Sequence, residues 1–140
     1  MRKLRNSAVV VGMAAAVLMG FAGSSSAAGA GGADAATYGA DGSATWTYDS
    51  PTHLTIRTMT VSDTKEDGYN VYIRLLTRDR HDNLTAYSKR YNNKGVGTHE
   101  SWWGLPASNN AGIAWATIEV CRGDGTCARG PWRENNYDGD

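Results

Sequence analysis

The chain has few residues of the kinds that build metal sites, nucleophilic sites and helices. It contains only 2 Cys, 3 His and 3 Pro, and its single Phe lies at position 21. Its 14 Lys and Arg residues balance 14 Asp and Glu residues. Proteins that bind nucleic acid carry a basic surface, so we expect no nucleic-acid partner. Apolar residues do not recur at helical spacing after residue 28, which argues against a helical fold.

The remaining polar residues do not match a catalytic or metal-binding motif. The three His are scattered along the chain, and no Gly-x-Ser-x-Gly nucleophile motif occurs after residue 28. His99-Glu100 begins like a zinc-protease motif, but Trp103 stands where the second His is required. We therefore predict no catalytic residue, no metal and no cofactor.

The first residues predict a secretory signal peptide. An apolar run over residues 8–22 follows three basic residues, Arg2, Lys3 and Arg5. The run is shorter than the roughly 20 apolar residues of a membrane-spanning helix, so we expect a secreted, extracellular protein with no membrane contact after cleavage. Small residues then allow cleavage after Ala28, after Ala30 or after Ala35, and we predict the first of these.

Cleavage after residue 28 changes both the charge and the apolar inventory. Three positive charges leave, so 11 basic residues face 14 acidic ones and the remaining protein is mildly acidic. All 5 Trp and all 7 Tyr follow residue 28, whereas aliphatic residues are few, so aromatic rings must supply much of the core. We predict a flexible Gly/Ala-rich leader over 29–42, one β domain over 43–134 and a disordered tail over 135–140.

Alternation of apolar and polar residues predicts successive strands from residue 43 onward. Residues 54–61 keep their apolar side chains on one face only if a bulge lies near Thr58. We predict further strands over 69–76, 84–91, 96–103 and 113–121, with a loop over 104–112. The fold class is therefore all-β, a small antiparallel β-sandwich or partly open barrel of about seven strands with one disulfide.

The C-terminal hairpin is predicted in most detail. Cys121 and Cys127 are the only cysteines of a chain expected to be exported, so we predict that they form a disulfide. If they face each other, the loop is Gly123-Asp124-Gly125, and Glu119 opposes Arg129. Extending that register pairs Ala116 with Trp132 and Trp115 with Arg133.

Aromatic residues supply the candidate binding surface. Tyr72, Tyr87 and Tyr91 fall on the outer faces of predicted strands, and one of two consecutive Trp in a strand must face away from the core. Exposed aromatic rings bind sugars or protein surfaces because they bury much area at little entropic cost. The competing interpretation is that Tyr and Trp fill the core of a chain without Phe. The candidate binding residues are Trp102, Trp103, Tyr72, Tyr87, Tyr91, Trp115 and Arg133.

The basic start, the Ala/Gly-rich signal and Ile118-Glu119-Val120-Cys121 before Cys127 resemble small secreted proteins of the high-GC Gram-positive (actinobacterial) type with a C-terminal single-disulfide β-hairpin. This resemblance covers the signal and the C-terminal hairpin. It implies secretion and a β-sandwich, and it offers no catalytic residues.

The function predicted from the sequence is a secreted, non-enzymatic binding module whose partner is an extracellular glycan, cell envelope or protein surface. The alternative is a secreted inhibitor of extracellular hydrolases that inserts loop 104–112 or the hairpin tip into its target. A third and least favoured hypothesis is a small hydrolase or toxin that uses His99 and Glu100.

Overall fold

A computed structural model of the protein describes residues 29–137, and these form ten strands and no helix. The predicted signal peptide, residues 1–28, and residues 138–140 lie outside the described residues. The described part contains no helix able to cross a membrane. The strands are β1 (Ala30–Thr37), β2 (Ala40–Ser50), β3 (His53–Asp63), β4 (Val71–Arg78), β5 (Leu84–Ala86), β6 (Arg90–Asn92), β7 (His99–Ser108), β8 (Trp115–Arg122), β9 (Cys127–Arg129) and β10 (Arg133–Glu134).

Two antiparallel sheets pack face to face around one core. The first sheet has the order β1-β2-β3-β7, and the second has the order β10-β8-β4-β5, with β6 also paired to β4 and β9 to β8. The predicted all-β class, sandwich and disulfide are confirmed. Strands outnumber the expected seven because β1 escapes the sequence pattern and both edges of the second sheet are interrupted.

The core is built from alternating residues of the long central strands. β2 has no partner residue for Arg57, so Arg57 is the extra residue of a bulge beside Thr58, where the sequence predicts one. The bulge keeps the apolar side chains before and after it on the same face of β3. These side chains are all at most 4 % exposed: Leu54, Ile56, Met59 and Val61.

The predicted flexible leader is wrong, because residues 30–37 form β1 and residues 40–42 begin β2. A two-residue turn at Tyr38-Gly39 reverses the chain, and Gly39 adopts a φ of 90° that favours glycine. Ala33 and Ala40 are buried. The Gly/Ala-rich composition predicts a flexible segment because its own apolar area is small. In the structure, β1 is held by pairing with β2 and by close approach to the core, which its small side chains allow.

The predicted strand 84–91 is interrupted. β5 and β6 both pair with β4, but their registers differ by one residue, which leaves 87–89 outside the ladder. A one-residue slip moves side chains to the opposite face. Tyr87 consequently packs against the core, whereas Tyr91 remains on the outer face.

The predicted loop 104–112 is largely strand, since β7 continues to Ser108. Pro106 lies within it opposite Thr55, a position that proline tolerates because β7 is the edge of its sheet. The residues Pro106, Ser108, Asn109 and Asn110 favour a loop in the sequence, but an edge strand needs only one row of hydrogen bonds and therefore tolerates the first two.

The C-terminal register holds at first and then shifts. Cys121 pairs with Cys127, and Glu119 pairs with Arg129, as predicted. One extra residue then enters around Pro131, so the predicted pairing of Trp115 with Arg133 is wrong and Arg133 pairs with Ala116. Trp132, predicted to pair with Ala116, is instead half-buried beneath the guanidinium group of Arg78, whose Cζ lies 4.4 Å from the ring centroid.

The predicted disordered tail is wrong at its start. Asn135 is buried, and its side-chain amide donates hydrogen bonds to the carbonyl oxygens of Ser50 at 3.1 Å and Ile113 at 2.8 Å. Its backbone N–H donates to Ala114. A polar residue at this position is ordered because it satisfies backbone groups that would otherwise be buried without partners.

Candidate binding site

A groove of about 440 Å³ lies on the outer side of the second sheet, beside the disulfide hairpin. The turn before β4, strand β6 and the hairpin tip form its walls. We call it the tyrosine groove. Its lining residues are Gly68, Tyr69, Asn70, Tyr72, Lys89, Tyr91, Arg122, Gly123 and Gly125.

Strand pairing places two tyrosines side by side on the groove floor. Tyr72 of β4 pairs with Tyr91 of β6 on one side and with Cys121 of β8 on the other. The two ring centroids are 5.3 Å apart and the ring planes are tilted by 53°. The hydroxyl oxygen of Tyr72 lies 4.0 Å from Sγ of Cys127, so the disulfide borders the buried ring. Tyr91 remains 44 % exposed and offers a face to a ligand.

Two cations lie over the tyrosine rings. Nζ of Lys89 is 4.7 Å from the centroid of the Tyr72 ring, and the guanidinium group of Arg122 is 4.8 Å from that of Tyr69. Arg122 also forms ion pairs with Asp67 at 3.3 Å and Asp124 at 2.6 Å. The pKa of Asp124 is lowered, mainly because the backbone N–H of Thr126 donates to its carboxylate and also because Arg122 pairs with it.

A charged triad lies on the same outer face, next to the groove. Arg74 donates to Oε1 of Glu119 through Nε at 3.0 Å and Nη2 at 2.6 Å, and Arg129 donates to Oε2 through Nε at 2.9 Å. Burial alone would raise the pKa of Glu119, but the hydrogen bonds and positive charges of Arg129 and Arg74 outweigh it and lower that pKa. The Glu119 side chain is only 6 % exposed.

Of the predicted binding residues, only Tyr72 and Tyr91 meet in one site. The hydroxyl group of Tyr87 donates to the carbonyl oxygen of Ser108, and its ring packs against the core. Trp102 also packs against the core. Trp103 is 67 % exposed but lies on the first sheet, away from the groove.

Trp115 and Arg133 do not form the predicted pair. Trp115 is opposite Glu134, and Nε of Arg133 donates to the carbonyl oxygen of Gly32 at 2.8 Å. Neither residue lines the tyrosine groove.

The sequence pattern does not reveal all of the groove. Tyr69 falls at the start of the predicted strand 69–76, but β4 begins only at Val71, and Tyr69 lies in the preceding turn, 44 % exposed. Its turn is marked by Asp67-Gly68, and the Asp67 carboxylate accepts the backbone N–H of Tyr69 at 2.9 Å. The Asp67-Gly68 turn is the sequence feature that indicates that Tyr69 precedes the strand and lies near the surface.

The outer face of the first sheet is a second distinctive surface. Hydroxyl side chains of β2, β3 and β7 line up across the strands, and Thr60 and Ser101 hydrogen-bond through their hydroxyl oxygens at 2.7 Å. Trp103 is the exposed aromatic residue of this face. Its cross-strand rows are Ser43–Thr60–Ser101, Thr45–Thr58–Trp103 and Thr47–Thr55–Pro106.

His99 and Glu100 do not form a catalytic pair. They are consecutive in β7, where neighbouring side chains point to opposite faces. Glu100 forms an ion pair with Lys94. Among the described residues, Glu119, Cys121 and Cys127 are close enough to share a metal ion, but the two cysteines are joined as a disulfide and offer no thiolate.

Comparison with protein-family models, with curated proteins and with solved structures returned no match to this chain. The resemblance to small actinobacterial secreted proteins therefore stays a prediction.

Proposed function

We propose that this protein is a secreted glycan-binding module and that the tyrosine groove holds the glycan. The observation that carries the proposal is the convergence of Tyr69, Tyr72 and Tyr91 on one groove of about 440 Å³. The C–H groups on a sugar face carry slight positive charge and pack well on the electron-rich face of an aromatic ring. Lys89 and Asn70 supply hydrogen-bond donors for sugar oxygens at the rim.

The groove suits a ligand because its walls are pre-organised. The Cys121–Cys127 bond closes the hairpin, and the Arg122 side chain ties the hairpin tip to Asp67 of the neighbouring turn. A site whose walls are already ordered loses less entropy when its ligand binds. The shallow, polar shape favours a hydroxyl-rich ligand over a compact apolar one.

Binding is tested with the purified protein on an array of glycans and cell-wall fragments, followed by titration of the strongest hit. We expect Tyr91→Ala to weaken binding about tenfold, equivalent to about 1.4 kcal/mol, because the ligand loses its exposed stacking ring. Tyr137→Ala is the matched control, since Tyr137 is 45 % exposed against 44 % for Tyr91 and lies outside the groove.

Two results would contradict this assignment. One is the absence of any glycan ligand on the array. The other is loss of binding in Trp103→Ala with full binding in Tyr91→Ala, which would assign the ligand to the hydroxyl-rich face of the first sheet.

Secretion is part of the proposal and is supported by the disulfide, since the reducing cytosol keeps thiols unpaired. We expect the protein recovered from culture medium to begin at Gly29 and to contain no free thiol. Cleavage after Ala35 would remove most of β1, whereas Gly29 is already bonded through its carbonyl oxygen to the N–H of Tyr48. N-terminal sequencing and thiol titration check this, and a retained signal peptide or two free thiols would contradict it.

The alternative function, inhibition of extracellular hydrolases, stays a prediction. The extension of β7 to Ser108 leaves the hairpin tip as the more exposed of the two loops assigned to it. The tip also forms a wall of the tyrosine groove. We favour glycan binding over inhibition because this groove is a formed site, whereas inhibition rests on the exposure of the tip alone.

A further inference from the structure

The two ends of the tyrosine groove differ in charge. At the hairpin end, Arg122 is paired with two carboxylates, those of Asp67 and Asp124. At the opposite end, Lys89 is exposed and contacts the Tyr72 ring, and no carboxylate of residues 29–137 forms an ion pair with it. The Lys89 end therefore carries a positive charge that the described part of the protein does not neutralise.

The neighbouring triad adds to this positive charge. Glu119 is one carboxylate between two guanidinium groups, and both of its oxygens accept hydrogen bonds from them. Arg74 lies two residues from Tyr72 on β4, so both side chains share the outer face. The side chains of Arg74 and Arg129 remain 25 % and 45 % exposed. Their Glu119 partner balances only one of the two charges.

Aromatic rings and unneutralised cations thus lie side by side on one face. A ligand that stacks a ring on Tyr91 places its substituents near Lys89, because Lys89 covers the adjacent Tyr72 ring. An ammonium group binds an anionic oxygen through charge-assisted hydrogen bonds, which are about twice as strong as neutral ones. A neutral sugar would leave this group without a charged partner.

We infer that the ligand of the tyrosine groove is a glycan that carries an anionic group, a carboxylate or a phosphate, and that Lys89 binds that group. The sugar ring stacks on Tyr91, and the guanidinium groups of Arg74 and Arg129 extend the favourable field beyond Lys89. This inference rests on the proposed glycan-binding function and specifies the charge of the substrate class.

The test compares matched acidic and neutral ligands on the intact protein. The carboxylate probe is an oligomer of glucuronic acid, with its carboxyl-reduced form as the neutral partner. The phosphate probe is an oligosaccharide phosphorylated on its sugar hydroxyl groups, with the dephosphorylated oligosaccharide as its neutral partner. We expect one acidic probe to bind about tenfold more tightly than its partner, and this ratio to fall as salt rises from about 0.05 M to about 0.5 M.

Lys89→Gln is expected to bring the ratio of acidic to neutral affinity close to one, and Lys89→Arg is expected to restore most of it, because arginine keeps the charge. Lys94→Gln is the control, since Lys94 is exposed and paired with Glu100 outside the groove. A folded Lys89→Gln protein, checked by circular dichroism, keeps the comparison valid.

Each outcome separates the two proposals. If neutral and acidic members of both pairs bind equally, the inference fails while glycan binding stands. If no glycan binds at all, the proposed function fails and the inference fails with it. Tighter binding to polyglutamate than to either acidic probe would overturn the assignment to a glycan and favour an acidic peptide. Lys89-dependent preference for the glucuronate or for the phosphate probe would support the inference and identify the group.

Discussion

Replacing Gly31 with alanine is expected to lower the free energy of unfolding by about 2 to 3 kcal/mol, the upper range for overpacking a close contact. Gly31 lies in β1 directly opposite Trp46, and a Cβ atom built on it would lie 2.6 Å from Cε2 of the indole ring. Trp46 is 1 % exposed and is held on all sides by the core, so the ring has little room to move.

The measurement is chemical denaturation followed by circular dichroism. Ala36→Ser is the control on the same strand, because Ala36 is exposed and its change is expected to stay within about 0.5 kcal/mol. Replacing Trp46 with leucine removes the indole ring, including the Cδ1, Nε1 and Cε2 atoms that the new Cβ atom would meet. In that background, Gly31→Ala should cost clearly less, so the double-mutant cycle isolates the contact.

The same measurement tests whether β1 docks on the core. If residues 29–42 were a flexible leader, Gly31→Ala would leave stability unchanged. A neutral result for Gly31→Ala, with no coupling to Trp46, would therefore contradict the docking of β1 on the core.

Replacing Glu119 with glutamine is expected to destabilise the protein by about 2 kcal/mol near neutral pH. The substitution keeps the size of the side chain but removes the charge that two arginines surround, and hydrogen bonds to charged groups contribute about 1.5 to 3 kcal/mol. The loss is smaller than for a fully buried ion pair, because Arg74 and Arg129 are 25 % and 45 % exposed and water screens them in part.

The stabilisation that Glu119 provides is expected to decrease as the pH falls. Its pKa is lower in the folded protein than the value of about 4.3 in an unfolded chain, so the folded state favours the ionised carboxylate. The stabilisation is therefore complete well above that unfolded pKa and is lost as pH falls through it towards the lower folded pKa. The difference in unfolding free energy between wild type and Glu119→Gln should shrink in acid.

Urea denaturation at a series of pH values, from neutral to acidic, measures this difference. Glu100→Gln is the matched control, because Glu100 pairs with Lys94, whose side chain is 66 % exposed, and such surface pairs contribute at most about 1 kcal/mol. A penalty for Glu119→Gln that is no larger than for Glu100→Gln, or that grows in acid, would contradict the role given to the triad.

Local patterns predicted much of the second sheet. The alternation of Val71, Ile73 and Leu75 identifies a buried strand, and the spacing of Cys121 and Cys127 fixes the hairpin register as far as Glu119 and Arg129. In the first sheet, the bulge in β3 is also predicted from a local pattern, since the alternation of apolar and polar residues is interrupted within the strand itself. These features are set by residues close together in the chain.

The candidate site was only partly predictable. Tyr72 and Tyr91 are recognised as outer residues, but only pairing of β6 with β4 makes them neighbours. Tyr87 has the same local pattern as Tyr91, yet the one-residue shift between β5 and β6 turns it towards the core. Lys89 and Tyr69 are recognised as site residues only in the tertiary structure, where the turn before β4 and the hairpin tip form one groove.

By itself, the sequence determined the all-β class, the disulfide hairpin and the faces of the regular strands, because side-chain alternation and turn chemistry are local properties. Only the tertiary structure decided that the Gly/Ala-rich segment is strand β1, that the registers at Tyr87 and Arg133 shift by one residue, and which tyrosines share a groove. Those outcomes depend on which strands become neighbours and on how closely they pack. Pairing partners distant in the chain set both, and a pattern within a single strand contains no information about them.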